Sequence, residues 1–389
     1  MTKKWSSRLT FLAFVVLMVG LGSNDSLRGI FSTIFQEHFS LTTTQLGLIV
    51  TASYIGNLVF LLVGGNLSTR FSKKRVLQVL ILIWMAALAL FAFTSNYTVL
   101  LIGMALALGS STLLNTTMNL ITPLLFATAP GFFVNFLFFT QEIGTSGSQY
   151  ILGSHADGFA FWQHTNLVLL ILGAVAFVLL LFCNVPEEAA DPADTPAQKG
   201  GYDWRIIVPY VLVFGFYFIA EHGVMNWMVA YGVDGLGLPQ ASAAKYLSVF
   251  FGGMMIGRLC LSPLVDKLGA LKSLAAFGGV SCVLYLIGSL GGALTMPVWA
   301  ISGLSFSILY PTLVMSIRLY FPAQQVSGAA GTILSIASLA DILFNVGFGR
   351  LVDMAGYAVS IRVLPLSVLA FFIVFMLFTK FCKPTQKLK

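Results

Sequence analysis

Apolar runs close to the ~20 residues needed to cross a bilayer core recur along this chain, each ended by a short polar turn. They fall near 9–31, 46–67, 76–94, 98–126, 132–153, 166–183, 206–229, 243–264, 273–291, 297–319, 327–348 and 359–381. The pattern predicts an all-α membrane protein of twelve transmembrane helices. One long polar interruption breaks it: the segment 184–205, containing "PEEAADPADTPAQKGG", has the Pro, acidic and small-residue bias of a cytoplasmic linker. The expected organisation is an N-terminal six-helix half (1–183), the linker (184–205) and a C-terminal six-helix half (206–389).

A repeat supports two pseudo-symmetric halves. "YIGNLVFLLVGGNLSTRFSKKR", ending at Arg75, runs in register with "FGGMMIGRLCLSPLVDKLGALK", ending at Lys272, 197 residues further on. Gly56 falls on Gly253 and Arg70 on Lys267. Each copy is a glycine-bearing span closed by a basic turn, the arrangement of parallel halves with a substrate path expected between them. The turn resembles the major facilitator superfamily signature between the second and third helices. Asp266, Lys267, Gly269 and Lys272 fit that pattern; the first copy keeps Gly65, Arg70 and Lys73 to Arg75, with Thr69 and Ser72 at the Asp and Gly positions. The resemblance implies gating roles for Arg70, Asp266 and Lys267, the plainer reading being topology signals.

Composition agrees with the hydrophobic pattern: 58% of residues are hydrophobic and 9% charged, against roughly 25% charged in a soluble domain. The net charge of +7 could suggest a nucleic-acid partner, but the basic residues are dispersed as topology signals. Sixteen of the 21 lie on the side that holds both termini, among them Lys3, Arg8, Lys74, Lys199 and Lys387. Arg28, Lys245, Arg350 and Arg362 fall on the other side, and Arg258 lies within a span. The positive-inside rule then puts both termini in the cytoplasm, with a bacterial inner membrane as the expected location. The basic start and first apolar run lead into Asn24, Asp25 and Arg28 without a small-residue cleavage site, which reads as a retained helix. Four cysteines without metal or redox spacing read as structural thiols, so no cofactor and no metal are expected. No phosphate loop or nucleophile elbow is present, which argues against an enzyme and leaves a non-transporting receptor disfavoured. A monomer is expected.

Charge inside a span costs at least ~2.5 kcal/mol on insertion scales and calls for a reason. Asp25, Glu142, Glu221, Arg258 and Asp341 are the deep charges, with Arg28 at a boundary. Asp25 and Arg28, three residues apart, could neutralise each other, and Asp341 could pair with Arg258 or accept from hydroxyls; these are the structural alternatives. Asn24 lies beside Asp25, and Asn115 and Asn119 share a face of the fourth span at i and i+4, as solute ligands or as interhelical glue. In the fifth, Gln141 and Glu142 lie within "NFLFFTQEIGTSGSQ", a polar face suited to a wet cavity. In the seventh, Glu221 neighbours His222 and precedes Trp227 by six residues. A carboxylate with an aromatic plate suits a sugar, whose hydroxyl edges seek polar groups and whose ring faces stack; an interfacial Trp is the alternative.

At these residues the chain resembles the fucose:proton symporter family of the major facilitator superfamily. "FIAEHGVMNWMVAY", "AAKYLSVFFGGMMIGRL" and "SFSILYPTLVMSI" are similar to its seventh, eighth and tenth helices, and "SNDSLRGIFSTIFQEHFSLTTTQLGLI" to its first helix and the following loop, with the "FxLTxxQxGLI" ending. The resemblance implies family positions for Glu221, Arg258, Tyr310 and Pro311. The chain departs from the family at two acids: the fourth-helix acid position holds Asn115, and Gly29 stands in the column of the first-helix acid, with Asp25 four residues before it. The expectation is a secondary transporter for a sugar or similar polyhydroxylated solute, coupled to H+ in preference to Na+. Asn24, Asn115, Asn119, Gln141, Glu142, Glu221, Trp227 and Tyr310 are the solute candidates. Asp25, Glu142 and Glu221 are candidates for ion coupling, and Arg28, Arg258 and Asp341 for gating or support. Efflux of amphipathic compounds, suggested by 34 Phe and 13 Met, is the rival.

Overall fold

Each apolar run is helical in the computed structural model, which describes residues 3–126, 130–183, 185 and 203–384, without the side chains of 3–6, 63–70, 130–132, 135, 266, 323, 324 and 327. The expected gating side chains of Arg70 and Asp266, and most of the expected linker, lie outside the described set. The N-terminal helices are α1 (Lys3–Ile30), α2 (Thr43–Arg70), α3 (Lys73–Phe93), α4 (Tyr97–Leu125), α5 (Pro130–His155) and α6 (Phe159–Leu181). They are followed by α7 (Trp204–Ala230), α8 (Gln240–Leu268), α9 (Ala270–Leu290), the broken span α10 (Met296–Leu319), α11 (Ala323–Ala355) and α12 (Val363–Phe381). Among the described residues eleven of these contain a stretch long and apolar enough to span a membrane. The exception is α5. Its 26 residues reach about 39 Å at 1.5 Å per residue, but Thr140, Gln141, Glu142, Thr145, Ser146, Ser148 and Gln149 dilute its apolarity.

The chain divides into two compact units, Met1–Ala190 and Asp191–Lys389. Within the first, α2 packs on α4, α1 on α5 and α6, and α3 on α4 and α6. Within the second, α8 packs on α10, α7 on α11 and α12, and α9 on α10 and α12. The pairing thus repeats helix for helix, and α3 and α9 are offset by 197 residues at both ends, as in the sequence repeat. Small residues explain the equivalent α2–α4 and α8–α10 pairs. A Cβ on Gly56 would overlap the Ala105 carbonyl, and one on Gly303 the Phe250 carbonyl. In lipid, where packing replaces the hydrophobic drive, such close backbone approach holds helices together.

Local chemistry sets the turns. Thr42 and Gln45 form a reciprocal capping box at the start of α2, the Thr42 N–H donating to Gln45 Oε1 (2.9 Å) and the Gln45 N–H to Thr42 Oγ1 (3.2 Å). This is the physical content of the "LTxxQ" resemblance. Asn96 accepts from the amides of Thr98 and Val99 to cap α4. Lys74 donates to the carbonyls of Leu181 and Cys183, so a residue that serves as a topology charge also closes the end of α6. The irregularity of α10 follows from Pro311, which has no N–H for the Ser307 carbonyl, and from Ser302, Ser305 and Ser307, whose hydroxyls donate to carbonyls three residues back. Tyr310 sits at that break.

Candidate functional site

In the N-terminal unit, α1, α4 and α5 bring a row of polar side chains together. Asn119 Nδ2 donates to Asn115 Oδ1, and Asn115 Nδ2 to Gln141 Oε1, both at 2.6 Å. The i, i+4 spacing of the two asparagines permits the first bond, and the packing of α4 on α5 supplies the second. Asn119 Oδ1 is buried and has no partner among the described residues. Asp25 accepts from Ser111 (3.2 Å) and from Asn24 (3.3 Å), tying α1 to α4. Arg28 is 5% exposed; its guanidinium lies 5.5 Å from the Tyr54 ring centroid, and its Nε has no acceptor among the described residues. Glu142 is half-buried. Other polar groups of α5 serve packing instead: Thr145 donates to the Gly22 carbonyl and accompanies Ser23, which donates to that of Gly144. Further along α5, Gln149 is fully buried with neither amide atom partnered among the described residues.

In the C-terminal unit the two adjacent ionisable residues of α7 point to different neighbours, as successive helical positions must. Glu221 acts electrostatically on Tyr217, Tyr285 and Tyr310, and Arg258 of α8 acts on Tyr217 and Tyr310. The carboxylate and the guanidinium thus share one tyrosine-lined neighbourhood. Tyr217 also stacks on Phe306, centroids 4.9 Å apart. His222 turns to α11, its Nδ1 2.5 Å from Asp341 Oδ2. Asn345 Nδ2 donates to the Asp341 carbonyl (2.8 Å) and faces its Oδ1 (3.4 Å), while Trp227 Nε1 donates to Asn345 Oδ1 (2.9 Å).

Several expectations change at this point. Trp227, read as an aromatic plate or an interfacial residue, is 0% exposed, packs on Phe348 and spends its N–H on Asn345; it supports the site and offers no face to a solute. Asp341 takes His222 as its partner, where the sequence offered Arg258. Lys267 is exposed at the end of α8. Ser111, Tyr54, Tyr217 and Asn345 join the polar clusters without having stood out; a hydroxyl one helical turn before Asn115 is the single sequence signal that would have found Ser111. A cavity of about 830 Å³, lined by Val59, Phe60, Val79, Leu113 and Phe177, is apolar and holds none of the expected solute ligands. Among the described residues no three His, Cys, Asp or Glu are grouped to hold a metal ion.

What each cluster offers, within its own unit, is hydrogen-bonding side chains and ionisable groups inside the helical bundle. The chain is 26% identical over 379 residues to a glucose/galactose transporter of Brucella abortus biovar 1 (strain 9-941), covering 91% of this chain and 90% of that protein. It is 23% identical over 333 residues to the L-fucose-proton symporter of Escherichia coli (strain K12), covering 74% and 75%. A cis,cis-muconate transport protein of Acinetobacter baylyi is 24% identical over 302 residues, covering 72% and 71%. Among solved structures the fold matches a D-xylose-proton symporter (TM-score 0.78, 15% identity, 99% of each chain). It also matches the transporter FucP in its outward conformation (TM-score 0.66, 20% identity, 96% and 99%). The model of the Major Facilitator Superfamily matches residues 10–340. This multi-pass membrane protein, which resembles the fucose:proton symporters in sequence, belongs to the major facilitator superfamily.

Proposed function

We propose that the chain is a secondary transporter that moves a sugar, or a similar small polyhydroxylated solute, by alternating access in symport with an ion, H+ in preference to Na+. The observation that carries this reading is the amide row of α4 and α5, in which Asn119 donates to Asn115, Asn115 to Gln141, and the row ends on a buried, unpartnered Asn119 acceptor. A solute hydroxyl satisfies such an acceptor and supplies one in return. Within the same unit Asn24 and Glu142 add further donors and acceptors; in the C-terminal unit Glu221 and Tyr310 form a separate set of candidates. The relatives named for L-fucose and for glucose and galactose support the solute class. The proposed setting is a bacterial inner membrane, with the protein a monomer and both termini cytoplasmic.

A thermal-shift screen of purified protein against hexoses, amino acids, organic anions and lipophilic cations tests the class. A hexose at a hundred times its Kd stabilises the protein by about 2.7 kcal/mol, and selective stabilisation by D-galactose, D-glucose or L-fucose is the expected result. Stabilisation by lipophilic cations alone would favour efflux of amphipathic compounds. Two observations favour a second reading, a carboxylated solute: the buried Arg28 Nε has no acceptor among the described residues, and relatives include the cis,cis-muconate transport protein and a hexuronate transporter. In that case hexuronates outcompete neutral hexoses, and Arg28→Gln removes their advantage.

A further inference from the structure

We infer that His222 and Asp341 form the proton-carrying couple of this transporter. The inference rests on the symport reading above and moves the coupling role away from Asp25, Glu142 and Glu221, toward which the sequence alone points. Asp341 is 2% exposed and the His222 side chain 25%, so the carboxylate is dry while part of the imidazole is open. The imidazole is held from two sides, by Asp341 at 2.5 Å and by Phe218, which stacks on it with centroids 5.5 Å apart and planes 6° from parallel. The carboxylate is held in turn by Asn345, and Asn345 by Trp227. A fixed carboxylate, a fixed ring and a supporting amide are the parts needed to keep a proton at one position.

Charge balance supplies the second argument. Glu221 and Arg258, which carry opposite charges, both act on Tyr217 and Tyr310 and so lie in one neighbourhood, whereas the ion-pair partner of Asp341 among the described residues is His222. Asp341 then depends on His222. With a neutral imidazole the couple carries one net negative charge; with a proton taken from hydronium, leaving water, it carries none, and the hydrogen bond between Nδ1 and Oδ2 persists in both states. Release to water reverses the step, and no other bond is made or broken. Because a buried net charge is expensive in a membrane, the loaded couple tolerates a drier surround than the empty one. That difference is what links proton occupancy to alternating access. The titratable groups on the helices packed around the couple are Tyr217 and Glu221 on α7, which with Arg258 on α8 and Tyr310 on α10 form the neighbouring tyrosine-lined cluster, joined to His222 through Phe218. Arg362 and Lys380 sit at the ends of α12, and Arg350 and Asp353 lie more than two turns along α11.

Proteoliposomes containing the full chain, assayed with radiolabelled D-galactose, test the inference. Asp341→Asn and His222→Gln should keep equilibrium exchange within about twofold of the parent, while accumulation driven by a proton gradient falls at least about tenfold, equivalent to roughly 1.4 kcal/mol. Asp341→Glu should restore accumulation. Undiminished accumulation in both neutral variants overturns the assignment. If the parent chain neither exchanges nor accumulates hexoses, the solute reading fails on its own, and the couple is then judged by 15N-histidine NMR of the parent protein. The chain has four histidines, so replacing His38, His155 and His164 together leaves the His222 signal alone, without recourse to a variant of the couple. A His222 resonance that titrates between about pH 5 and 8 and moves in Asp341→Asn supports the couple. One that holds a single protonation state across that range overturns it, and the same measurement decides if the variants fail to fold.

Discussion

Asn115 is the residue on which most of the N-terminal polar row depends, because it accepts from Asn119 and donates to Gln141 at once. Truncating it strands two amides in a site where an unpaired buried group costs about 1–3 kcal/mol. Asn115→Ala is therefore expected to weaken hexose binding, read as the half-saturating concentration in counterflow, by about ten- to a hundredfold. Asn119→Ala, which removes the end of the row, should cost less. The reverse ranking would show that the row does not act as a unit. Trp227 offers a contrasting test. Since its ring is closed to solutes and its N–H anchors Asn345, Trp227→Phe should leave the exchange affinity for D-galactose nearly unchanged and impair uphill accumulation. A large loss of exchange affinity would return the ring to the role of a solute plate.

Helices and their ends carry the next set of consequences. The capping box that starts α2 satisfies amides that would otherwise have no partner, and replacing such a cap with Ala costs about 0.5–2 kcal/mol. Thr42→Ala and Gln45→Ala should each lower the melting temperature of detergent-purified protein by a few degrees, and the double variant by less than the sum, because the two bonds are reciprocal. Gly56→Leu is expected to be far worse, since a side chain there meets the Ala105 backbone and forces α2 off α4. The elements themselves were legible because each is a long apolar run ended by recognisable turn chemistry, but the break in α10, at Pro311 and the serines before it, was not expected from the continuous apolar run 297–319. Nor were the partners of the buried charges. Asp25 meets Ser111 across 86 residues and His222 meets Asp341 across 119; no periodicity encodes such meetings, which depend on how the helices of each unit are rotated against one another. Most of the polar residues are thus visible in the sequence, whereas the full burial of Trp227 and the pairing of Asp341 with His222 are not.

For the whole molecule, orientation follows from counting charges, and it is the property most open to a direct check. In the proposed topology twelve spans bring both termini to one side, and the positive-inside rule assigns to the cytoplasm the side expected to bear sixteen of the 21 basic residues. The structure gives Lys74 a second role, since it closes the end of α6 while keeping its charge. Asp157, exposed between α5 and α6, should therefore face outward, and Lys383, exposed after α12, inward. Cys260 is exposed along α8 and Cys382 partly so, which requires the native cysteines to be replaced before labelling. In that background Asp157→Cys should react with a membrane-impermeant maleimide in intact cells, and Lys383→Cys only after the membrane is opened. The opposite pattern would invert the topology, turning every basic turn outward, against a charge imbalance that insertion does not readily overcome. Labelling of both positions in intact cells would break the parity of the spans, and suspicion would fall first on α5, whose polar face makes it the least apolar candidate to cross.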